Sequence, residues 1–197
     1  HDILILADDI YGRLVYNGNT FTPISSLSDA IRKQTIVING VSKTYAMTGW
    51  RVGYAVGEPE IISGMAKIIS QTTSNLTAVS QYAAIEALTG DQSSIEEMRQ
   101  AFEERLNTIY PLLAEVPGFE VIKPQGAFYL FPNVKKAMEI KGYTDVNDFT
   151  NAILEEAEVA LVTGAGFGAP ENIRFSYATD LDTLKEAVRH IKAFMEK

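Results

Sequence analysis

The sequence predicts an α/β fold, with strands of the buried, parallel type over about residues 1–90 and a smaller α+β piece, opened by a long connecting helix, over 91–197. Three observations lead there. Three short unbroken apolar runs, ILILA at 3–7, TIVIN at 35–39 and VGYAV at 52–56, read as strands covered on both faces. Stretches with helical apolar spacing follow the third run. Beyond Pro117-Gly118 the texture changes to short strands set off by turn signals.

Taken in order, the first strand stops at Asp8-Asp9, so its end carries carboxylates. Segment 58–70 places Ile61, Met65 and Ile68 at helical spacing, with Ile62 and Ile69 alongside and Pro59 near the first turn. Segment 78–88 is alanine-rich and helical. Asp91-Gln92-Ser93-Ser94 punctuates the chain; Ser93 or Ser94 suits an N-cap, with Glu96 or Glu97 closing a capping box. The long helix that follows aligns Ile95, Met98, Phe102, Leu106, Ile109 and Leu113, and Pro117-Gly118 ends the region. Strands at 119–122 and 127–131 flank the turn Pro124-Gln125-Gly126. A helix at about 146–157, a strand at 158–162, a glycine-rich loop at 164–168, a strand at 172–178 and a helix at 181–195 complete the chain.

The 197 residues contain no cysteine, which excludes disulfides, thiolate metal sites and a cysteine nucleophile. With two histidines, a zinc site or a histidine-based triad has little support, and no metal is expected. The formal net charge is −8 and no basic stripe stands out, so neither nucleic acid nor an anionic membrane is an expected partner. No apolar run reaches the roughly 18 residues of a membrane span. The N-terminus has no basic region or cleavage site of a signal peptide, and a cytoplasmic location is expected. Entering directly into a strand, without Met, the chain reads as a piece of something longer, with His1 at the cut end.

The chemistry gathers at strand ends. Asp8 closes the first strand and Tyr11 lies three residues on; Ser42 and Lys43 follow the second; Arg51 lies just before the third. In an open α/β sheet, ligands sit at the carboxyl ends of strands. A carboxylate, a phenol, a hydroxyl, a lysine and an arginine together suit a phosphorylated, cationic aromatic cofactor with a reactive carbonyl.

These same residues carry a resemblance. SKTYAMTGWRVGYAVG at 42–57 resembles the Schiff-base segment of class I/II aminotransferases, the aspartate aminotransferase family of pyridoxal-phosphate (PLP) fold type I. ADDIYGRLVYNG at 7–18, PQGAFYLFP at 124–132 and NIRFSYA at 172–178 resemble further motifs of that family, in the family's order. The pattern is most like a bacterial subgroup that includes many aspartate and broad-range aminotransferases.

The resemblance implies that 1–90 is the C-terminal portion of a large, mostly parallel PLP-binding domain and 91–197 a small C-terminal domain. It implies a PLP-dependent transaminase that moves an amino group between an L-amino acid, such as aspartate or an aromatic one, and a 2-oxo acid, as a homodimer when full-length. Lys43 would be the catalytic lysine that bonds to the cofactor. Asp8 would pair with the pyridine nitrogen, Tyr11 would bond the ring oxygen, and Ser42 and Arg51 would hold the phosphate. Arg174 would take the substrate carboxylate through a bidentate fork. Other parts of the cofactor cage belong to a half of the family chain not encoded here, so the piece alone is expected to be inactive. A β-lyase of the same fold, or the aminotransferase-like sensor domain of a transcription regulator, remains an alternative. Trp50 and Tyr45 read as core residues with a cofactor contact as the alternative, and Tyr16 as packing with a cross-subunit role as its alternative.

Overall fold

All three apolar runs of the first half form strands: β1 at Ile5–Asp8, β2 at Thr35–Gly40 and β3 at Gly53–Val56. The computed structural model describes residues 3–197, so His1 lies outside the described residues. β1 and β2 run parallel, from Ile5 opposite Thr35 to Asp8 opposite Ile38. The link between them includes helix α1, Asp29–Gln34, whose N-cap Ser28 accepts a hydrogen bond from the Ile31 amide at 3.2 Å.

The third strand corrects the expected fold class. β3 runs antiparallel to β2, with Val37 opposite Val56 and Gly40 opposite Gly53. A parallel return needs a crossover back along the length of the sheet, usually an α-helix. Residues 41–52 carry a single 3₁₀ turn, Thr48–Trp50, and no α-helix, so the chain simply reverses. Among the described residues there is therefore no large, mostly parallel sheet followed by a smaller domain. The described residues are α/β, with two three-stranded sheets. It divides into two compact units of nearly equal length, His1–Arg99 and Gln100–Lys197.

The strands are also not covered on both faces. β1 alternates, and Leu6 is 70% exposed, with Leu4 and Val56 similarly open. Two helices follow β3 in this unit, α2 at Pro59–Thr72 and α3 at Ala78–Thr89. On α3, Val79 and Tyr82 are 70% and 75% exposed, and Ile85 and Leu88 continue the same three-residue spacing outward. Helix α4, Ser93–Ala114, begins in this unit and holds the division at Arg99. Its predicted apolar side is real: Ile95, Phe102, Leu106, Ile109 and Leu113 are buried. The capping box is not. Asp91 accepts from both the amide and the hydroxyl of Ser93, and Glu96 forks onto Arg99 at 2.9 Å.

The second unit is a helical layer on an antiparallel sheet. Its strands, β4 at Tyr129–Leu130, β5 at Val162–Thr163 and β6 at Ile173–Ser176, order as β4-β6-β5. Of the predicted strand at 119–122, a single bridge between Glu120 and Asn133 is formed. Helix α5, Lys135–Lys141, was not legible in the periodicity; α6, Val146–Ala157, and α7, Leu181–Glu196, were. Leu130, Ile173 and Phe175 from the sheet are buried, as are Phe149 and Ile153 of α6 and Leu184, Val188, Ile191 and Phe194 of α7. The Phe149 ring lies 6.0 Å from that of Phe194 and 5.6 Å from that of Tyr143.

Phe149→Ala is expected to cost about 3–5 kcal/mol in denaturant unfolding, because a fully enclosed ring leaves a cavity; a loss below about 1 kcal/mol would show that the site collapses freely. Asp180 caps α7, accepting from the Thr183 amide at 2.8 Å and its hydroxyl at 2.6 Å. These bonds hold its carboxyl below the ordinary 3.8. A lowered folded-state value means the cap's contribution is complete above pH 3.8 and is lost as pH falls through the lower value. Asp180→Asn is therefore expected to flatten the acid limb of the stability–pH curve; an unchanged limb would contradict the cap's share in it.

Candidate active site

The reversal at β3 gathers the predicted residues of the first unit at one end of its sheet. β1 and β2 finish there, and an antiparallel β3 begins there. Asp8 is the last residue of β1 and Tyr11 lies in the turn that follows, where the Gly12 amide donates to the Asp9 carbonyl at 2.9 Å. Gly12 lets the chain pass close to Phe21: a Cβ there would stand 2.9 Å from the ring, which would have to shift. Ser42 and Lys43 open the loop after β2, and Arg51 closes it.

That loop has a tight base. The Val41 amide donates to the Val52 carbonyl at 3.3 Å, and a Cβ on Gly40 would meet the same carbonyl at 2.7 Å. Within it, the Tyr45 amide donates to the Val41 carbonyl at 3.2 Å and the Ala46 amide to the Lys43 carbonyl at 3.3 Å. Ala46 and Arg51 both sit in the left-handed region, with φ of 53° and 56°. Side chains other than glycine rarely stay there unless their surroundings hold them, and such residues concentrate at functional sites. The Arg51 guanidinium donates to the Thr48 carbonyl at 2.8 Å, which ties its own turn together.

Lys43 and Tyr11 are brought together. The Lys43 amine lies 5.8 Å from the centroid of the Tyr11 ring, within the reach of a cation–π contact, and both residues are half-buried. Ser42 is half-buried beside Lys43; Arg51 and Asp8 are exposed. The Asp8 carboxylate accepts from the Ile10 amide at 3.2 Å. Its neighbour Asp9 is half-buried, and burial together with the Asp8 charge pushes its carboxyl up toward the neutral form. Thr44, which sequence reasoning passed over, is buried. Trp50 is exposed rather than in the core, and Tyr16 is fully buried, which favours its packing role.

Arg174 belongs to the second unit. Ile173 and Phe175 of β6 point into the core, so Arg174 stands on the opposite face. Its guanidinium carbon lies 4.6 Å from the Tyr129 ring centroid and 4.9 Å from that of Phe167. It forms no ion pair among the described residues, so stacking rather than charge pairing orients it. No spacing in the sequence links Tyr129 or Phe167 to Arg174; the antiparallel pairing of β4 with β6 is what sets Tyr129 beside it. Among the described residues, no group of three acidic or histidine side chains converges as a metal site, and no helix is long and apolar enough to cross a membrane. His190 on α7 is engaged structurally, 2.8 Å from the Ala157 carbonyl and 3.2 Å from Glu186.

Fold and residues together point to one class of protein, and the comparisons agree. The family model described as "Aminotransferase class I and II" matches residues 1–191. The chain is 78% identical over 197 residues to an asparagine--oxo-acid transaminase of Streptococcus mutans, and 55% identical to an aspartate aminotransferase of Bacillus subtilis. Each match covers all of this chain and 50% of the relative, so the chain spans about half the length of the curated relatives it matches. Among solved structures, an aromatic aminotransferase from Pyrococcus horikoshii superposes with a TM-score of 0.91 at 33% identity, over all of this chain and 52% of that one. An aspartate aminotransferase from Thermotoga maritima gives 0.87 at 39% identity, over 98% of this chain and 48% of that one. The chain belongs to the class I and II aminotransferase family.

A double-mutant cycle on Arg174→Met and Tyr129→Leu should return a coupling of about 0.5–1 kcal/mol in unfolding free energy, as expected of a partly exposed cation–π pair. Coupling indistinguishable from zero would remove the ring from its orienting role.

Proposed function

We propose that this chain carries the cofactor-bearing lysine of a PLP-dependent transaminase that moves an amino group between an L-amino acid and a 2-oxo acid. The observation that carries the reading is the placement of the Lys43 amine over Tyr11, at the sheet end where Asp8, Ser42 and Arg51 also lie. The donor set fits the cofactor: an amine for its aldehyde, a carboxylate for its ring nitrogen, a phenol for its ring oxygen, and a hydroxyl with a guanidinium for its phosphate.

When bound, PLP supplies an electron-poor ring that takes up the electron pair left at the substrate α-carbon. The side chains do the rest. Asp8 would hold a proton at the ring nitrogen, and Tyr11 would donate to the ring oxygen. Ser42 and Arg51 would hold the phosphate, which a guanidinium fork suits. Lys43 would be the residue that bonds to the cofactor and the base that carries a proton to and from the substrate α-carbon. Arg174, flanked by the Tyr129 and Phe167 rings, would take a substrate carboxylate through its guanidinium fork.

The names of the Streptococcus mutans and Bacillus subtilis relatives, an asparagine and an aspartate transaminase, support a substrate class of acidic amino acids and their amides. The open apolar face of α3 supports a homodimer in the full-length form. The lack of cysteine and the free amino acid substrate support a cytoplasmic setting. Turnover by this chain alone is not expected, because the relatives it matches are about twice as long.

Incubating the chain with PLP, reducing with borohydride and mapping peptides is expected to label Lys43 above every other lysine. Lys43→Ala should abolish that label, and Asp8→Ala should retain much of it. A label spread evenly over the surface lysines would refute the assignment.

A further inference from the structure

We propose that Gln92 is a positioning residue for the lysine loop, acting through Tyr45: a hydrogen bond between them straps the loop to the turn between α3 and α4. This rests on the reading of Lys43 as the cofactor-bearing residue. Tyr45 stands two residues beyond Lys43, and its hydroxyl lies 3.0 Å from Gln92 Oε1. Gln92 is itself clamped. Its Nε2 donates to the Ala87 carbonyl at 3.0 Å and the Gly90 carbonyl at 2.8 Å.

Both amide hydrogens are therefore committed, which fixes the direction of the amide and leaves its oxygen as acceptor, so the Tyr45 hydroxyl must donate. Ala87 lies in the last turn of α3, where carbonyls have no partner within the helix. One side chain thus caps α3 and reaches the lysine loop.

The strap matters because packing is missing beside it. A cavity of about 470 Å³ lies behind the loop, lined by Thr44, Tyr45, Met47, Glu86, Asp91 and Met98. At its base the loop is held by Val41 and Val52; beside the cavity, the Tyr45–Gln92 bond ties its middle to the turn after α3. A tyrosine two residues from the amine is well placed to set where that amine stands.

The test separates the strap from the cap. Amide hydrogen exchange of residues 43–48 is measured in the unchanged chain, Tyr45→Phe, Gln92→Ala, the double variant and Gln92→Glu. Loss of one hydrogen bond of ordinary strength should quicken exchange about tenfold in each of the first two, and the double should be no faster than either. Gln92→Glu keeps an acceptor for Tyr45 but no donor for α3. It should leave the loop near the unchanged rate while the end of α3 exchanges faster. In parallel, reductive fixation of PLP on Lys43 should slow in Tyr45→Phe and recover in Gln92→Glu relative to Gln92→Ala. Unchanged loop exchange in Tyr45→Phe, or a Gln92→Glu loop as fast as that of Gln92→Ala, overturns the strap. Absence of any label on Lys43 in the unchanged chain instead overturns the cofactor reading, and with it the purpose given to the strap.

Discussion

The close approach of two backbones at Gly40 governs the first unit. The Val52 carbonyl occupies the space where a side chain on Gly40 would begin, and the register that follows sets Gly40 opposite Gly53. That contact closes the base of residues 41–52, reverses the chain and fixes the direction of β3. Direction in turn decides chemistry. A reversed strand starts where its neighbours finish, so Arg51 arrives at the end of the sheet that holds Asp8 and Lys43. Had β3 run parallel, its first residue would lie at the far end.

This geometry separates what the sequence could and could not disclose. The position of Asp8, Tyr11, Ser42 and Lys43 at one end of the sheet was legible because each sits within a few residues of an apolar run. The direction of β3 was not legible, since an apolar run of five residues looks the same either way. The sequence reading of a parallel third strand was incompatible with its own placement of Arg51, and the structure resolves the conflict through the reversal. The partners of Arg174 and Tyr45 were hidden for another reason. Tyr45 and Gln92 are 47 residues apart, and nothing local marks either as half of a pair.

Helix and strand existence followed periodicity well, and boundaries less so. α6 and α7 show their amphipathic stripes plainly, whereas α5 is seven residues long and is punctuated by Gly142 in a left-handed conformation rather than by any apolar rhythm. The box at the start of α4 does not form because Asp91, two residues upstream, takes the Ser93 amide and hydroxyl, while the Glu96 carboxylate accepts from Arg99. The apolar runs read as doubly covered strands, yet Leu4, Leu6 and Val56 face outward. Hydrophobicity reports that a surface seeks cover; it does not say which polypeptide provides it.

That outward-facing surface has a colloidal consequence. Copies of a chain with a net charge of −8 repel one another over roughly a Debye length, about 10 Å at 0.1 M salt and about 3 Å at 1 M. The attraction between apolar patches is short-ranged and, for many salts, strengthened rather than screened. Ionic strength therefore sets the balance between dispersed and clustered copies, and dilute buffer is the medium in which the two folded units stay apart from their neighbours.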